Sequence, residues 1–268
     1  MIVDGKKIAA EILADVKNKI STLPRAPRLT VFTCAPNFET QKFLALKQKR
    51  AEEVGIEVKV VELDPRILTA LVIQTIHETV PVTDGIVVQL PFPPSIDIAS
   101  VLASVPASHD VDALTYDGAD TAVLPPVVGA IDAIATHYQV AWTGAQVVVV
   151  GQGRLVGAPA ALYATSQGAQ VTVLEKDTAD YEQTIKEADI LILGAGVPGL
   201  VTASMLKPGV VIFDAGTSEE GGLLVGDADI SVANIASLTT PVPGGIGPIT
   251  IAILLRNLVT LVKNRALK

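Results

Sequence analysis

The 268-residue chain is predicted to be an α/β protein: an N-terminal three-layer α/β domain, then a Rossmann-type domain with a doubly wound parallel sheet. Three observations predict this. Short apolar, β-rich runs alternate with helical stretches along the chain, the order that builds parallel sheets. Val147-Val148-Val149-Val150 reads as a strand buried on both faces, and it runs straight into Gly151, Gly153 and Gly157, which let the backbone turn sharply toward a phosphate. A helix (155–167) and a second strand (171–174) follow, ending at Glu175, roughly twenty residues past the glycines, where a ribose-binding acid belongs. Glycines at this spacing also occur in sheet turns that bind nothing, so the dinucleotide reading rests on their context.

Composition removes several alternatives. The chain is long enough for one large or two ordinary domains, each with its own core. A hydrophobic content of 49% raises the question of a membrane span. The longest candidate, residues 249–255 with 258–262, is interrupted by Arg256 and Asn257 and falls short of the ~20 apolar residues a bilayer requires, so no membrane association is expected. No basic segment precedes an apolar block at the N-terminus, which points to the cytoplasm. Cys34 is the single cysteine and histidines number three, so no disulfide and no metal site are expected. A net charge of −8 argues against a nucleic-acid surface.

In order, residues 4–21 have helical spacing (Ile8, Ile12, Val16, Ile20), and Pro24 and Pro27 then break the chain. Leu29–Thr33 is a strand, followed by a helix over 39–54 that closes at Gly55. At 100° per residue, Phe43, Leu46, Lys47, Arg50 and Val54 share a face of that helix, and Lys42, Gln48, Lys49, Glu52 and Glu53 point away. Lys47, set among apolar residues, must snorkel, find a partner or lose its proton easily. Snorkelling is preferred on the residues alone; a lowered pKa would suit it for proton transfer. A strand over 58–63 and a helix over 67–79 come next. Residues 84–91 form a buried strand that delivers Gln89 at its carboxyl end, where open α/β sheets bind ligands. Its amide suits a substrate, a lysine or a nearby backbone group equally well. After a helix over 98–104, Asp112 follows His109-Asp110-Val111, and an acid in such a turn most often caps backbone.

Residues 114–126 read as a connection, and 127–138 as a linking helix. The domain limits are thus 1–126 and 127–248. In the second half, a helix over 180–187 leads to the strand 190–193, closed by Gly194 and Gly196. The strand 210–214 ends near Gly216, and glycines after successive strands let a flat cofactor lie across the sheet edge. Residues 240–250 hold three prolines and three glycines, a rigid loop of the kind that more often forms a site than a connector, before a helix over 251–263.

These stretches together resemble the bifunctional methylenetetrahydrofolate dehydrogenase/methenyltetrahydrofolate cyclohydrolase family over essentially the whole chain. The resemblance rests on Ile2-Val3-Asp4-Gly5-Lys6, the helix of Lys47 with Glu52-Glu53-Val54-Gly55-Ile56, residues 84–91, Asp110-Val111-Asp112, Val156-Gly157-Ala158-Pro159, Ala188-Asp189-Ile190 and, above all, the loop 240–250. It implies that Lys47 is the catalytic lysine, Gln89 its hydrogen-bond partner and Asp112 the carboxylate that grips the pterin. It implies a folate substrate contacted by Phe43, Asp112, Pro243, Gly244, Gly245 and Thr250. A dinucleotide is implied on Gly151, Gln152, Gly153, Arg154, Gly157, Glu175, Lys176, Gly194, Gly196 and Gly216. It further implies that the first domain is the catalytic one, completed by a C-terminal helix over 249–268, with a cleft between the two domains; the expected activity is oxidation of 5,10-methylenetetrahydrofolate and hydrolysis of the methenyl product, by a homodimer.

The chain departs from the family in ways that bear on function. Phe43 stands where the family has a tyrosine, so its ring stacks but donates no hydrogen bond. A dehydrogenase without hydrolysis is therefore the second reading, and a silent pterin- and dinucleotide-binding protein the third. The resemblance implies NADP, yet Gln152-Gly153 and Glu175-Lys176-Asp177 replace the arginine and serine that hold its 2′-phosphate. Glu175 repels that phosphate and suits the free 2′-hydroxyl of NAD, whereas Lys176 offers a phosphate a cation. Pro126-Val127-Val128 replaces the family's Cys-Thr-Pro.

Overall fold

The computed structural model describes residues 1–118, 123–175 and 178–266, without the side chains of residues 38 and 39. In chain order its helices and strands are Gly5–Ile20 (α1), Arg28–Cys34 (β1), Phe38–Val54 (α2), Glu57–Leu63 (β2), Thr69–Thr79 (α3), Gly85–Val88 (β3), Ile98–Ala103 (α4) and Pro126–Tyr138 (α5). They continue as Gln146–Val150 (β4), Gly157–Ser166 (α6), Gln170–Leu174 (β5), Tyr181–Glu187 (α7), Ile190–Leu193 (β6), Val211–Asp214 (β7), Ser218–Glu220 (β8), Leu223–Val225 (β9), Leu238–Thr239 (β10) and Ile246–Ala266 (α8). The chain divides into two compact units: Glu11–Thr115, Thr121–Pro125 and Ile251–Lys268 form one, and Met1–Ala10, Tyr116–Asp120 and Pro126–Thr250 the other.

The unit with the first sheet is built on a parallel order β2-β1-β3, with Val31 of β1 opposite Val60 and Val87. Alternation along β1 makes it three-layered. Leu29 and Val31 join Val87 in a core with Val16 of α1, Leu44, Ala51 and Val54 of α2, and Leu255 and Leu258 of α8. Phe32 and Cys34 face the other way, with Ile86 and Val88, onto Val72 and Ile76 of α3 and Val101 and Leu102 of α4.

Helix α2 starts where Asn37 Oδ1 accepts the Thr40 N–H at 2.8 Å and stops at Gly55, which is left-handed at φ 90°. Its buried face differs from the predicted one. Leu44, Lys47, Ala51 and Val54 point inward, whereas Phe43 (43% exposed), Leu46 and Arg50 face solvent. Small Ala51 lets the helix approach the sheet closely, so the stripe follows the spacing 44, 47, 51, 54 rather than the largest side chains. Helix α8 also differs: it begins at Ile246, inside the predicted loop, with Pro248 in a first turn where its missing N–H costs nothing. At 21 residues it is long and apolar enough to cross a bilayer, yet Leu254, Leu255, Leu258 and Val259 are core residues of the unit, as a core helix requires.

The other unit has the parallel order β10-β7-β6-β4-β5. The chain runs outward from β4 to β5, returns across β4 to β6, and continues to β7 and β10. That doubly wound path puts the topological switch point between β4 and β6. One face carries Val148, Val150, Leu191, Leu193 and Ile212 against Ile185 of α7. Beyond it, Trp142 stacks on Phe213 at 5.9 Å and meets the Tyr163 ring edge-on at 5.6 Å. Helix α6 begins at Gly157, two residues later than predicted, because residues 154–156 form a turn, closed by the Val156 N–H on the Gly153 carbonyl at 3.2 Å, with Val156 outside helical geometry at φ −128°, ψ −76°. The hairpin β8–β9 and the strand β10 carried too few β-branched residues to be predicted. Residues 1–10 belong to this unit, where Val3 N–H donates to Thr239 O and Thr239 N–H to Met1 O, each at 2.9 Å.

Candidate active site

In the first unit, the carboxyl end of β3 and the middle of α2 bring two predicted residues together. Lys47 Nζ donates to Gln89 Oε1 at 2.9 Å, and Gln89 Nε2 donates to the Leu90 carbonyl at 3.3 Å, which fixes the amide's orientation. The Gln89 backbone is itself held, its N–H on the Phe32 carbonyl at 2.8 Å. Lys47 is only 3% exposed, so it does not snorkel: the rotated face of α2 turns it inward onto a partner. Burial pushes the Lys47 ammonium below the usual lysine range, and the Asp112 charge opposes that shift. Burial likewise pushes the Asp112 carboxyl up, and Lys47 opposes it. The two groups thus hold each other's charge in a place that disfavours both. The Phe43 ring centroid lies 5.8 Å from Lys47 Nζ, with much of the ring exposed.

The loop that carries Asp112 is anchored by two residues, Asp110 and Asn257, to which the sequence alone assigned no anchoring role. Asp110, buried, accepts the Asp112 N–H at 3.2 Å on Oδ1 and the Leu114 N–H at 2.6 Å on Oδ2. Burial first, and Asp112 second, push the Asp110 carboxyl up to about 7, against the pull of those N–H groups. Asn257 of α8, also buried, donates from Nδ2 to the carbonyls of Val111 at 2.9 Å and Leu124 at 2.8 Å. An amide amid leucines was the one available signal for it.

In the second unit, the glycine loop follows β4 into α6. Gly151 is at φ 91°, and a Cβ on it would stand 2.8 Å from the Gly194 carbonyl oxygen; a Cβ on Gly157 would collide with the Gly151 carbonyl oxygen. These glycines let the loops after β4 and β6 close on each other across the switch point. Gln152, Gly153 and Arg154 are exposed there, as are Gly196 and Glu175, the latter just past β5 with its N–H on Thr178 Oγ1 at 2.9 Å. Gly194 is partly exposed. Lys176 and Asp177 lie outside the described residues. Gly216 is buried, and its missing Cβ is explained by Asp227, whose carboxyl fills that space. In the loop before α8, Gly244 is at φ 109°, Pro243 follows a cis peptide and the Gly245 N–H donates to Pro241 O at 2.8 Å; in the first turn of α8 itself, Thr250 Oγ1 donates to Gly247 O at 2.8 Å. A cavity of about 290 Å³, lined by Tyr138, Asp189, Val211 and Ser237, opens at the amino ends of these strands, away from the glycine loops. Among the described residues, no three acids, histidines or cysteines gather as a metal site.

Comparison with known proteins agrees with both halves. Residues 3–112 match the tetrahydrofolate dehydrogenase/cyclohydrolase catalytic-domain family, and residues 125–266 the NAD(P)-binding-domain family of the same name. The bifunctional protein FolD of Lacticaseibacillus casei is 37% identical, the match covering 98% of each chain. The crystal structure of the FolD dehydrogenase/cyclohydrolase from Campylobacter jejuni superposes with a TM-score of 0.95 at 32% identity, over 99% of each chain. The FolD of Trypanosoma brucei, solved with NADP cofactor and an inhibitor, superposes with a TM-score of 0.92 at 30% identity, over 99% of this chain and 98% of that one. The chain belongs to the tetrahydrofolate dehydrogenase/cyclohydrolase family.

Proposed function

We propose that the buried Lys47–Gln89 pair moves the protons in this chain's reactions, that Asp112 holds the pterin, and that the loops after β4, β5 and β6 hold the dinucleotide. The chain is an NAD(P)-dependent methylenetetrahydrofolate dehydrogenase and methenyltetrahydrofolate cyclohydrolase of one-carbon metabolism. The observation that carries the assignment of roles is the burial of Lys47 with its ammonium on Gln89 Oε1.

A carboxylate accepts two parallel hydrogen bonds from the 2-amino group and ring N–H of a 2-amino-4-oxopyrimidine, which is the part given to Asp112. The half-exposed Phe43 ring beside Lys47 offers the pterin a stacking face. The oxidation needs mainly positioning, because the dinucleotide accepts the hydride from the methylene carbon. In the hydrolysis, water adds to the methenyl carbon and loses a proton. The bond from that carbon to the pterin N5 then breaks as the new hydroxyl releases its proton to solvent and becomes the formyl carbonyl, and N5 takes up a proton. Lys47, its pKa lowered by burial, is available as the neutral amine that takes the first proton and, as ammonium, returns one to N5. Gln89 Oε1 keeps the amine aimed. Pro243, Gly244, Gly245 and Thr250 stay substrate contacts in this reading, supported by the rigid turn at Gly244.

For the dinucleotide, the exposed glycine backbone before a ten-residue helix suits a pyrophosphate, with Arg154 as a nearby cation. The residues fit NAD better than NADP: Glu175 is exposed at the end of β5, where it repels a 2′-phosphate and accepts from a free 2′-hydroxyl. A homodimer is supported by apolar side chains left uncovered on β9 and after it, with Leu223 71% and Ile230 90% exposed.

The test mixes the protein with 5,10-methylenetetrahydrofolate and either NAD or NADP, following reduced dinucleotide and methenyl product together. Reduced dinucleotide without lasting methenyl product is expected. Equal and persistent accumulation of both would remove hydrolysis from the assignment, and a strong preference for NADP would overturn the reading of Glu175.

A further inference from the structure

One buried carboxyl of the second unit that accepts three backbone N–H groups lies in neither the glycine loop nor the predicted set of cofactor residues. Asp227 follows the β8–β9 hairpin and is 0% exposed. Its Oδ2 accepts the N–H groups of Ala195 at 2.7 Å and Gly196 at 3.1 Å, and its Oδ1 accepts that of Val197 at 2.8 Å. Three consecutive peptides of the loop after β6 are therefore tied to one side chain some thirty residues further on.

Asp227 is itself tied down. The Asp227 N–H donates to Asp214 Oδ1 at 3.2 Å and the Ala228 N–H to Asp214 Oδ2 at 2.9 Å, while Asp214 Oδ1 also accepts the Gly216 N–H at 2.9 Å. Asp214 is the last residue of β7 and is buried. Two glycines make room for the pair: a Cβ on Gly216 would overlap the Asp227 carboxyl, and one on Gly226 would overlap that of Asp214. The arrangement joins the ends of β6 and β7 through side-chain acceptors and backbone donors. Burying two neighbouring carboxyls is costly, and the N–H groups offset that cost only while the loops keep this shape.

What the carboxyl holds is the lip of the switch point. Residues 195–197 are exposed, Gly196 is at φ 68°, and a Cβ there would meet nothing within 4 Å, so the outer side of the loop is open. In a trans peptide the N–H and the preceding C=O point in opposite directions. With the N–H groups of 195–197 on Asp227, the carbonyls of 194–196 turn away from it. The Gly196 carbonyl accepts from Ser218 Oγ at 3.0 Å, and that of Gly194 lies against Gly151. Among the described residues the Ala195 carbonyl accepts no hydrogen bond, which makes it an acceptor for the hydroxyl and amide donors of a nicotinamide riboside.

We propose that Asp227 is a positioning residue for the dinucleotide: through the three N–H groups of Ala195, Gly196 and Val197 it presets the loop after β6 in the shape that receives the cofactor's nicotinamide ribose half. This rests on the dinucleotide reading of the loops given above. An isosteric amide keeps one acceptor oxygen and presents an NH₂ group to a backbone N–H, so Asp227→Asn breaks the arrangement with little change of volume.

The test is calorimetric titration of NAD and of NADP into the wild-type protein and Asp227→Asn, with the steady-state constants of the oxidation measured on both. The expected result is a dinucleotide Kd and KM raised at least tenfold in the variant, with kcat lowered less than threefold. Wild-type protein that binds neither dinucleotide would overturn the cofactor reading itself. Wild-type binding with a variant Kd within twofold would overturn the part given to Asp227 alone, and so would a kcat that falls as far as KM rises. If Asp227→Asn does not fold, amide hydrogen exchange on the wild type decides. The amides of 195–197 are expected to be protected before any dinucleotide is added, and exchange there at the rate of an unstructured peptide would overturn the proposal.

Discussion

Lys47 Nζ and Gln89 Oε1, 2.9 Å apart, join the middle of α2 to the carboxyl end of β3 and place an amine where water has little access. The charge on Lys47 is disfavoured by burial and favoured by Asp112, so its proton is held less tightly than on an ordinary lysine. The reaction chemistry follows from that balance.

Phe43 lies beside this amine without a hydroxyl to offer it. Phe43→Tyr is predicted to speed hydrolysis of the methenyl substrate about tenfold, less than the about 10²–10⁴-fold of a principal general acid–base group because Lys47 already fills that role, with less effect on hydride transfer. Stopped-flow decay of the methenyl chromophore measures it; an unchanged rate would mean that a hydroxyl there takes no part.

Glu175 stands exposed at the end of β5. Glu175→Gln removes a repulsion, and kcat/KM for NADP is predicted to rise about tenfold, equivalent to about 1.4 kcal/mol, while that for NAD changes little. Equal changes for the two dinucleotides would contradict a contact with the 2′ position.

Asn257→Leu leaves the carbonyls of Val111 and Leu124 without their donor. A loss of about 1–3 kcal/mol of stability is expected, for one buried acceptor and one partly buried one. The folate KM should rise as well, because Val111 precedes Asp112. Denaturant unfolding and steady-state kinetics read the two effects.

Asp110 has its pKa raised to about 7, so the folded protein binds a proton there that the unfolded chain, with an ordinary aspartate, releases near pH 4. Stability attached to this group is therefore greatest below about pH 4 and declines as pH rises toward 7. Asp214, pushed up to about 6 by burial, acts in the same direction. Asp110→Asn is predicted to flatten the fall, so that its stability relative to wild type improves between pH 5 and pH 8 by on the order of 1–3 kcal/mol. A relative stability that stays level or worsens across that range would contradict the shift.

Much of this was legible in the sequence, for identifiable reasons. Apolar runs such as Val147–Val150 announce buried parallel strands by composition alone, and Gly151 and Gly157 are required by backbone contacts that no side chain tolerates. Lys47, Gln89 and Asp112 were singled out individually, but only the resemblance to a family joined them. The face of α2 was misjudged because periodicity weighs Phe43 and Leu46 by size, whereas packing on the sheet favoured Leu44 and Ala51. The start of α8 was missed because Gly247 and Pro248 read as loop residues, although proline is tolerated in a first turn. Asp110, Asp214, Asp227 and Asn257 received no structural role from the sequence for a common reason. Their partners are backbone N–H and C=O groups, which every residue carries and which only the fold brings together.

The measurement that bears most directly on Lys47 is the rate of methenyltetrahydrofolate hydrolysis by Lys47→Gln, beside its rate of hydride transfer from methylenetetrahydrofolate. The account predicts that hydrolysis falls by about 10²–10⁴-fold, the usual worth of a general acid–base group, while measurable hydride transfer persists. Undiminished hydrolysis in Lys47→Gln would contradict it.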